Sequence, residues 1–113
     1  MRTRTESVTA RFLPGPKFAP YAASKAAVEH FTHALRLELA PRGIRVSLIV
    51  PGLVDTPIYD GLPDFARTRQ KLVEQVPTWL RPDDVADAIL WVVSRPTRVA
   101  VSELTLLPIQ QTR

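Results

Sequence analysis

The chain has 113 residues, 45% of them hydrophobic and 23% charged, which suits one compact domain and is too short for two. It has no cysteine, which excludes disulfides and thiolate metal centres, and no apolar run approaches the ~18 residues of a membrane helix. The net charge of +4 comes from arginines scattered between Arg2 and Arg113, with no basic run interleaved with aromatics, so neither nucleic acid nor membrane is an expected partner.

Residues 1–17 read as an irregular N-terminal segment. Met1 to Glu6 lack the apolar stretch of a signal peptide, and a cytoplasmic location is the default expectation. Pro14, Pro16 and Pro20 mark an extended loop over 12–20, because each fixes its own φ and restrains the residue before it. From Ala22 to Leu39 there is neither proline nor glycine, and Val28, Phe31, Leu35 and Leu39 fall on one helical face. Pro41 and Gly43 end that helix. Ile44 to Val50 is β-branched and nearly continuously apolar, the pattern of a strand buried on both faces. A loop is expected over 53–62, then a shorter helix from Phe65 to Val76.

Pro82, Asp83 and Asp84 form a helix start, with carboxylates near the positive end of the dipole. Val85, Ala88, Ile89, Val92 and Val93 give that third helix an apolar face. Val99 to Leu107 reads as a second strand, and the tail from Gln110 as frayed. Strand, helix and strand make a βαβ unit, which is expected to be parallel and right-handed. Two strands cannot cover their own apolar faces, so the chain is expected to self-associate or to be part of something larger.

Tyr21 and Lys25 stand four residues apart at a helix start, on one face. A free phenol titrates near ~10. An ammonium ~4 Å from a phenol favours the phenolate by ~4 kcal/mol at an effective dielectric of ~20, which would let the tyrosine exchange a proton with a carbonyl or alcohol oxygen. The same pair could also be an interfacial tyrosine beside a solvated lysine. His30 and His33 lie three residues apart with no evident third ligand, so no metal is expected. Asp83, Asp84 and Asp87 suit a helix start better than a paired acid and base, and Trp79 and Trp91 suit a core or an interface.

Tyr21-Ala-Ala-Ser24-Lys25-Ala26-Ala27-Val28, the helix exit Arg42-Gly43-Ile44-Arg45-Val46, and Pro51-Gly52-Leu53-Val54-Asp55-Thr56-Pro57 together resemble the short-chain dehydrogenase/reductase family. The resemblance implies an α/β fold over 18–113, the C-terminal half of a Rossmann-type doubly wound parallel sheet of about two strands and three helices. It implies NAD or NADP as cofactor and hydride transfer with a small alcohol or ketone. Tyr21 would be the acid/base, Lys25 its partner and a ligand of the nicotinamide ribose. Pro51, Gly52, Val54 and Thr56 would hold the nicotinamide ring and carboxamide. The stretch from Ser94-Arg95-Pro96 to Leu107-Pro108 is similar to members that act on 3-hydroxy acids and serine-like alcohols.

The chain also departs from the family. Its four glycines, Gly15, Gly43, Gly52 and Gly61, cannot form the family's phosphate-binding loop, and the Asn-Asn-Ala-Gly motif and catalytic asparagine are missing. The place of the catalytic serine is taken by Val8. Ser7 fits it if the proline-rich loop carries one inserted residue, and is otherwise a terminal serine without a role. Where the family has a buried apolar strand, residues 1–6 alternate Arg and Thr. The chain thus reads as half an enzyme, inactive alone, behind a truncated or unrelated start. The alternatives are a non-catalytic remnant that associates through Ala27, Phe31 and Ala34, or a gene start that lies further upstream.

Overall fold

The computed structural model describes residues 3–7, 19–57 and 65–112. The proline-rich loop up to residue 18, and the part of the second loop over 58–64, lie outside them. Strand β1 (Thr3–Ser7) is followed by helix α1 (Ala19–Leu39), a 3-10 turn (Ala40–Arg42), strand β2 (Arg45–Pro51), helices α2 (Phe65–Gln75) and α3 (Pro82–Val93), and strand β3 (Glu103–Leu106). The three strands form one parallel sheet in the order β1-β2-β3.

β2 is the centre of this arrangement. Leu48, Ile49 and Val50 are 0% exposed, and Val46 and Ser47 are nearly as buried. Successive strand residues face opposite ways. Val46, Leu48 and Val50 therefore face one helix layer, where Val28 of α1 packs on Leu48 and Val50. Arg45, Ser47 and Ile49 face the other, where α3 lies against β2. This is the two-sided burial that the continuous apolar run of Ile44 to Val50 implies.

Four expectations are corrected. The sheet has three strands, not two, because Thr3–Ser7 is a strand and 1–17 is not wholly irregular. Its polar sequence is compatible with pairing because the ladder is made by backbone groups, in register from Thr3 with Arg45 to Ser7 with Ile49. Secondly, helix α1 begins at Ala19, with Pro20 inside its first turn, where no backbone donor is needed.

Thirdly, the buried stripe of α1 runs through Thr32 and not Phe31, which is 57% exposed. Burial of Thr32 is possible because its hydroxyl donates to Val28 O at 2.7 Å. Finally, β3 covers only Glu103–Leu106, the part that pairs with Leu48–Pro51. The residues ahead of it are held differently. Val99 N–H donates to Pro96 O, and Ser102 O accepts from Leu48 N–H.

One side chain ties α3 to the sheet. The guanidinium of Arg45 donates to Val93 O, Arg95 O, Pro96 O and Val99 O at 2.9–3.2 Å. These carbonyls include the end of α3, which no further helical turn can satisfy. At the other end of α3, Asp84 accepts from Arg81 N–H at 2.7 Å, as the helix-start pattern implies. Trp91 is exposed, with the Arg95 guanidinium over its ring at 4.5 Å, so it belongs to the surface and not the core. No helix among the described residues is long and apolar enough to cross a membrane.

Arg45→Met keeps the aliphatic stem but leaves several carbonyls without a donor. It should lower stability by about 2 kcal/mol, read as a lower urea midpoint at unchanged slope.

Candidate active site

In a parallel sheet all strands end at the same edge. Ser7, level with Ile49, closes β1, and Pro51 closes β2 two residues further on, both at the carboxyl edge. α1 runs back along β2, because it leads into that strand through a tight turn at Gly43. That glycine has φ 71° and donates its N–H to Ala40 O. A helix of 21 residues is about 31 Å long. A strand of seven spans about 23 Å. The start of α1 therefore reaches the carboxyl edge too.

Tyr21 and Lys25 lie in that first part of the helix. Both are half-buried and continue the stripe of Val28, Thr32, Leu35 and Leu39 that faces the sheet. Lys25 Nζ stands 5.5 Å from the centre of the Tyr21 ring, so the two side chains share a face as their spacing implies. Ser24 donates back to Tyr21 O at 2.7 Å and takes no part in that face.

The loop after β2 is fixed almost residue by residue. Gly52 N–H donates to Leu106 O at 2.7 Å, and Leu53 N–H to Gln111 Oε1 at 2.9 Å. Val54 forms a parallel bridge with Leu80. There Leu80 N–H donates to Leu53 O at 2.9 Å and Asp55 N–H to Leu80 O at 2.8 Å. In such a bridge the hydrogen bonds belong to the neighbours of Val54. The N–H and C=O of Val54 itself point away from Leu80. Asp55 accepts from Arg69 of α2 at 2.7 Å, and that guanidinium lies 5.0 Å from the half-buried Trp79 ring. Pro51 and Gly52 are buried, while Val54 and Thr56 are half-buried at the rim.

Of the residues singled out by sequence, Tyr21 and Lys25 share one helix face, and Pro51, Gly52, Val54 and Thr56 lie on the end of β2 and the loop that follows it; Ser7 ends β1. Two contributors were missed. Leu80 carries no chemical signal in a sequence, since it acts through its backbone. Gln111 falls in the tail expected to fray, yet it is only 7% exposed. The histidines also behave differently from their pattern. His30 is exposed, but His33 Nε2 lies 3.4 Å from Glu103 Oε2, with Glu29 in the same group.

The chain belongs to the short-chain dehydrogenase/reductase family: a family model described as enoyl-(acyl carrier protein) reductase matches residues 4–104. An uncharacterised oxidoreductase of Staphylococcus epidermidis is 39% identical over 98 residues, which cover 87% of this chain and 38% of that one. A second, from Staphylococcus saprophyticus, is 39% identical over 89 residues, covering 79% and 34%. The chain therefore spans well under half the length of these curated relatives.

Among solved structures, a closed form of serine dehydrogenase complexed with NADP+ aligns with a TM-score of 0.82 at 29% identity, covering 98% of this chain and 46% of that one. Serine dehydrogenase from Escherichia coli aligns with a TM-score of 0.73 at 27% identity, covering 98% and 42%. The 3-oxoacyl-[acyl-carrier protein] reductase of Brucella melitensis gives 0.70 at 26%, covering 94% and 41%.

The Tyr21–Lys25 contact is worth little to the fold. Tyr21→Phe and Lys25→Met should each change stability by less than about 1 kcal/mol, measured by chemical denaturation. A larger loss would mark the pair as structural.

Proposed function

We propose that this chain is the C-terminal half of an NAD(P)-dependent oxidoreductase that interconverts a small secondary alcohol and a ketone. The observation that carries this reading is the convergence of Tyr21, Lys25 and the Gly52–Thr56 loop on the carboxyl edge of the sheet. Ligands of open α/β sheets bind at that edge. The N–H and C=O that Val54 turns away from Leu80 form one donor and one acceptor side by side. That complements a primary carboxamide such as the one on nicotinamide. Thr56 adds a hydroxyl at the rim, and the buried Pro51 and Gly52 provide a close-packed floor. When bound, the nicotinamide supplies or accepts the hydride.

The chain's own part is proton handling and orientation. Tyr21 Oη gives a proton to the carbonyl oxygen in reduction and takes it from the alcohol in oxidation. Lys25 holds positive charge on the same helix face and reaches the ribose. Ser7 polarises the same substrate oxygen. The similarity to serine dehydrogenase favours a hydroxy acid or a serine-like alcohol as substrate. The diphosphate of the cofactor has no glycine-rich cradle within these residues, so that part of the site belongs to a preceding βαβ half.

A second reading is an association module. Ala27, Phe31 and Ala34 are exposed along α1, and Leu37, Leu90, Trp91 and Ile109 are exposed as well. Self-association would cover part of this surface and is compatible with either reading.

Calorimetry on the isolated 113-residue chain should detect no micromolar binding of NAD(P), and such binding would show that the missing cradle is not needed. Residues 18–113 grafted in place of the matching half of an active relative should restore hydride transfer. In that chimera Tyr21→Phe should reduce the rate ~10²–10⁴-fold with little structural change. A folded chimera equally active with phenylalanine at position 21 would show that Tyr21 is not the proton carrier, and a folded chimera without hydride transfer would leave the association module as the better account.

A further inference from the structure

We propose that Gln111 is the positioning residue of the Gly52–Thr56 loop: its side-chain oxygen holds the Leu53 amide where the ladder ends, and so holds Val54 with its N–H and C=O turned away from Leu80. The inference builds on the reading of that loop as the part that meets nicotinamide.

The β2–β3 ladder ends at the pair Pro51 and Leu106. Gly52 N–H still finds a backbone acceptor, Leu106 O, at 2.7 Å. For the next amide, Leu53 N–H, the acceptor is Gln111 Oε1 at 2.9 Å. A side-chain carbonyl thus takes the amide that follows the last bond of the ladder in sequence, after β3 has ended. Because that acceptor is not part of a strand, the chain is free to turn from β3 towards Leu80, where Leu53 O and Asp55 N–H are bound. The loop therefore crosses from one partner to another within four residues, and Val54 sits at the crossing with its own N–H and C=O facing out.

The fit is reciprocal. Gln111 is 7% exposed, and its backbone N–H donates to Pro108 O at 2.9 Å, so a tight turn delivers the side chain. The carboxamide lies directly over Gly52. A Cβ at that position would collide with Gln111 Oε1 and stand 2.9 Å from Leu107 Cδ2. A side chain at Gly52 would therefore have to displace the Gln111 carboxamide and the Leu107 methyl packed on it. Pro108, Leu107 and Gln111 form one wall, and the absence of a side chain at Gly52 admits the wall.

Amide hydrogen exchange on the ¹⁵N-labelled 113-residue chain tests this. Gln111→Met keeps the bulk and removes the oxygen. The Leu53 amide should then exchange about tenfold faster, with Val54 and Asp55 following, while Val46 to Val50 stay protected. Gly52→Ala should give the same local pattern, and its effect should shrink when Gln111→Ala is also present, because the new methyl fills the vacated space. An unchanged Leu53 rate in Gln111→Met would overturn the proposal. So would loss of protection across the whole of β2, or additive effects of Gly52→Ala and Gln111→Ala.

Nicotinamide mononucleotide at millimolar concentration supplies the second readout. It should shift the Val54 and Thr56 amide resonances in the native chain and shift them less in Gln111→Met. Equal shifts in both would overturn the positioning role. No shift in the native chain would count against the nicotinamide reading alone, with the exchange rates still deciding whether Gln111 holds the loop.

Discussion

Complete burial of β2 is the constraint from which the rest of the structure follows. A strand with no exposed face must be covered by helices on both sides and paired along both edges. α1 and α3 supply the covers, and β1 and β3 supply the pairing. Parallel pairing then requires a crossover before and after β2. Each crossover brings its helices back along the sheet, and the turns after the strands collect at one edge. The loop from Gly52 to Thr56 takes its place at that edge because it leaves the buried strand there.

Three polar side chains inside this frame bond to backbone that the regular elements leave open. Thr32 enters the helix–sheet seam by bonding its own helix. Arg45 faces the second layer and spends its guanidinium on carbonyls around the end of α3. Gln111 does the same for one amide after β2. In each case a buried or half-buried polar side chain completes the hydrogen bonding of backbone that regular structure has left open. That pattern explains why a small sheet with polar Thr3–Ser7 at its edge still carries a well-defined loop.

The features legible in the sequence were those with a period or a punctuation mark. The apolar run of Ile44 to Val50, the proline–aspartate start of α3 and the Tyr21–Lys25 spacing all translate directly into structure. The resemblance of the Pro51–Thr56 stretch to a known family located the loop of the site. What was not legible depends on partners distant in sequence. Thr3–Ser7 shows no apolar alternation and becomes a strand only because β2 offers it a backbone edge. Phe31 looks like a core residue by type, yet the helix turns Thr32 inward. Gln111 looks like tail, and only its bond to the Leu53 amide, 58 residues away, shows otherwise. Leu80 contributes two backbone groups, which no side-chain pattern encodes.

The bridge between Val54 and Leu80 has a consequence for how this protein can vary. Everything between those two residues, including α2, is an excursion whose two ends are fastened to each other before the chain reaches α3. The entropic cost of such a closed loop grows only with the logarithm of its length, roughly 0.6 kcal/mol per doubling. Residues can therefore be added to or removed from the excursion while its anchor points, and the sheet edge behind them, stay where they are. The segment behaves as a replaceable cassette clipped to a fixed frame. Divergence among related chains has room to reshape this excursion without disturbing Tyr21, Lys25 or the strand that supports them.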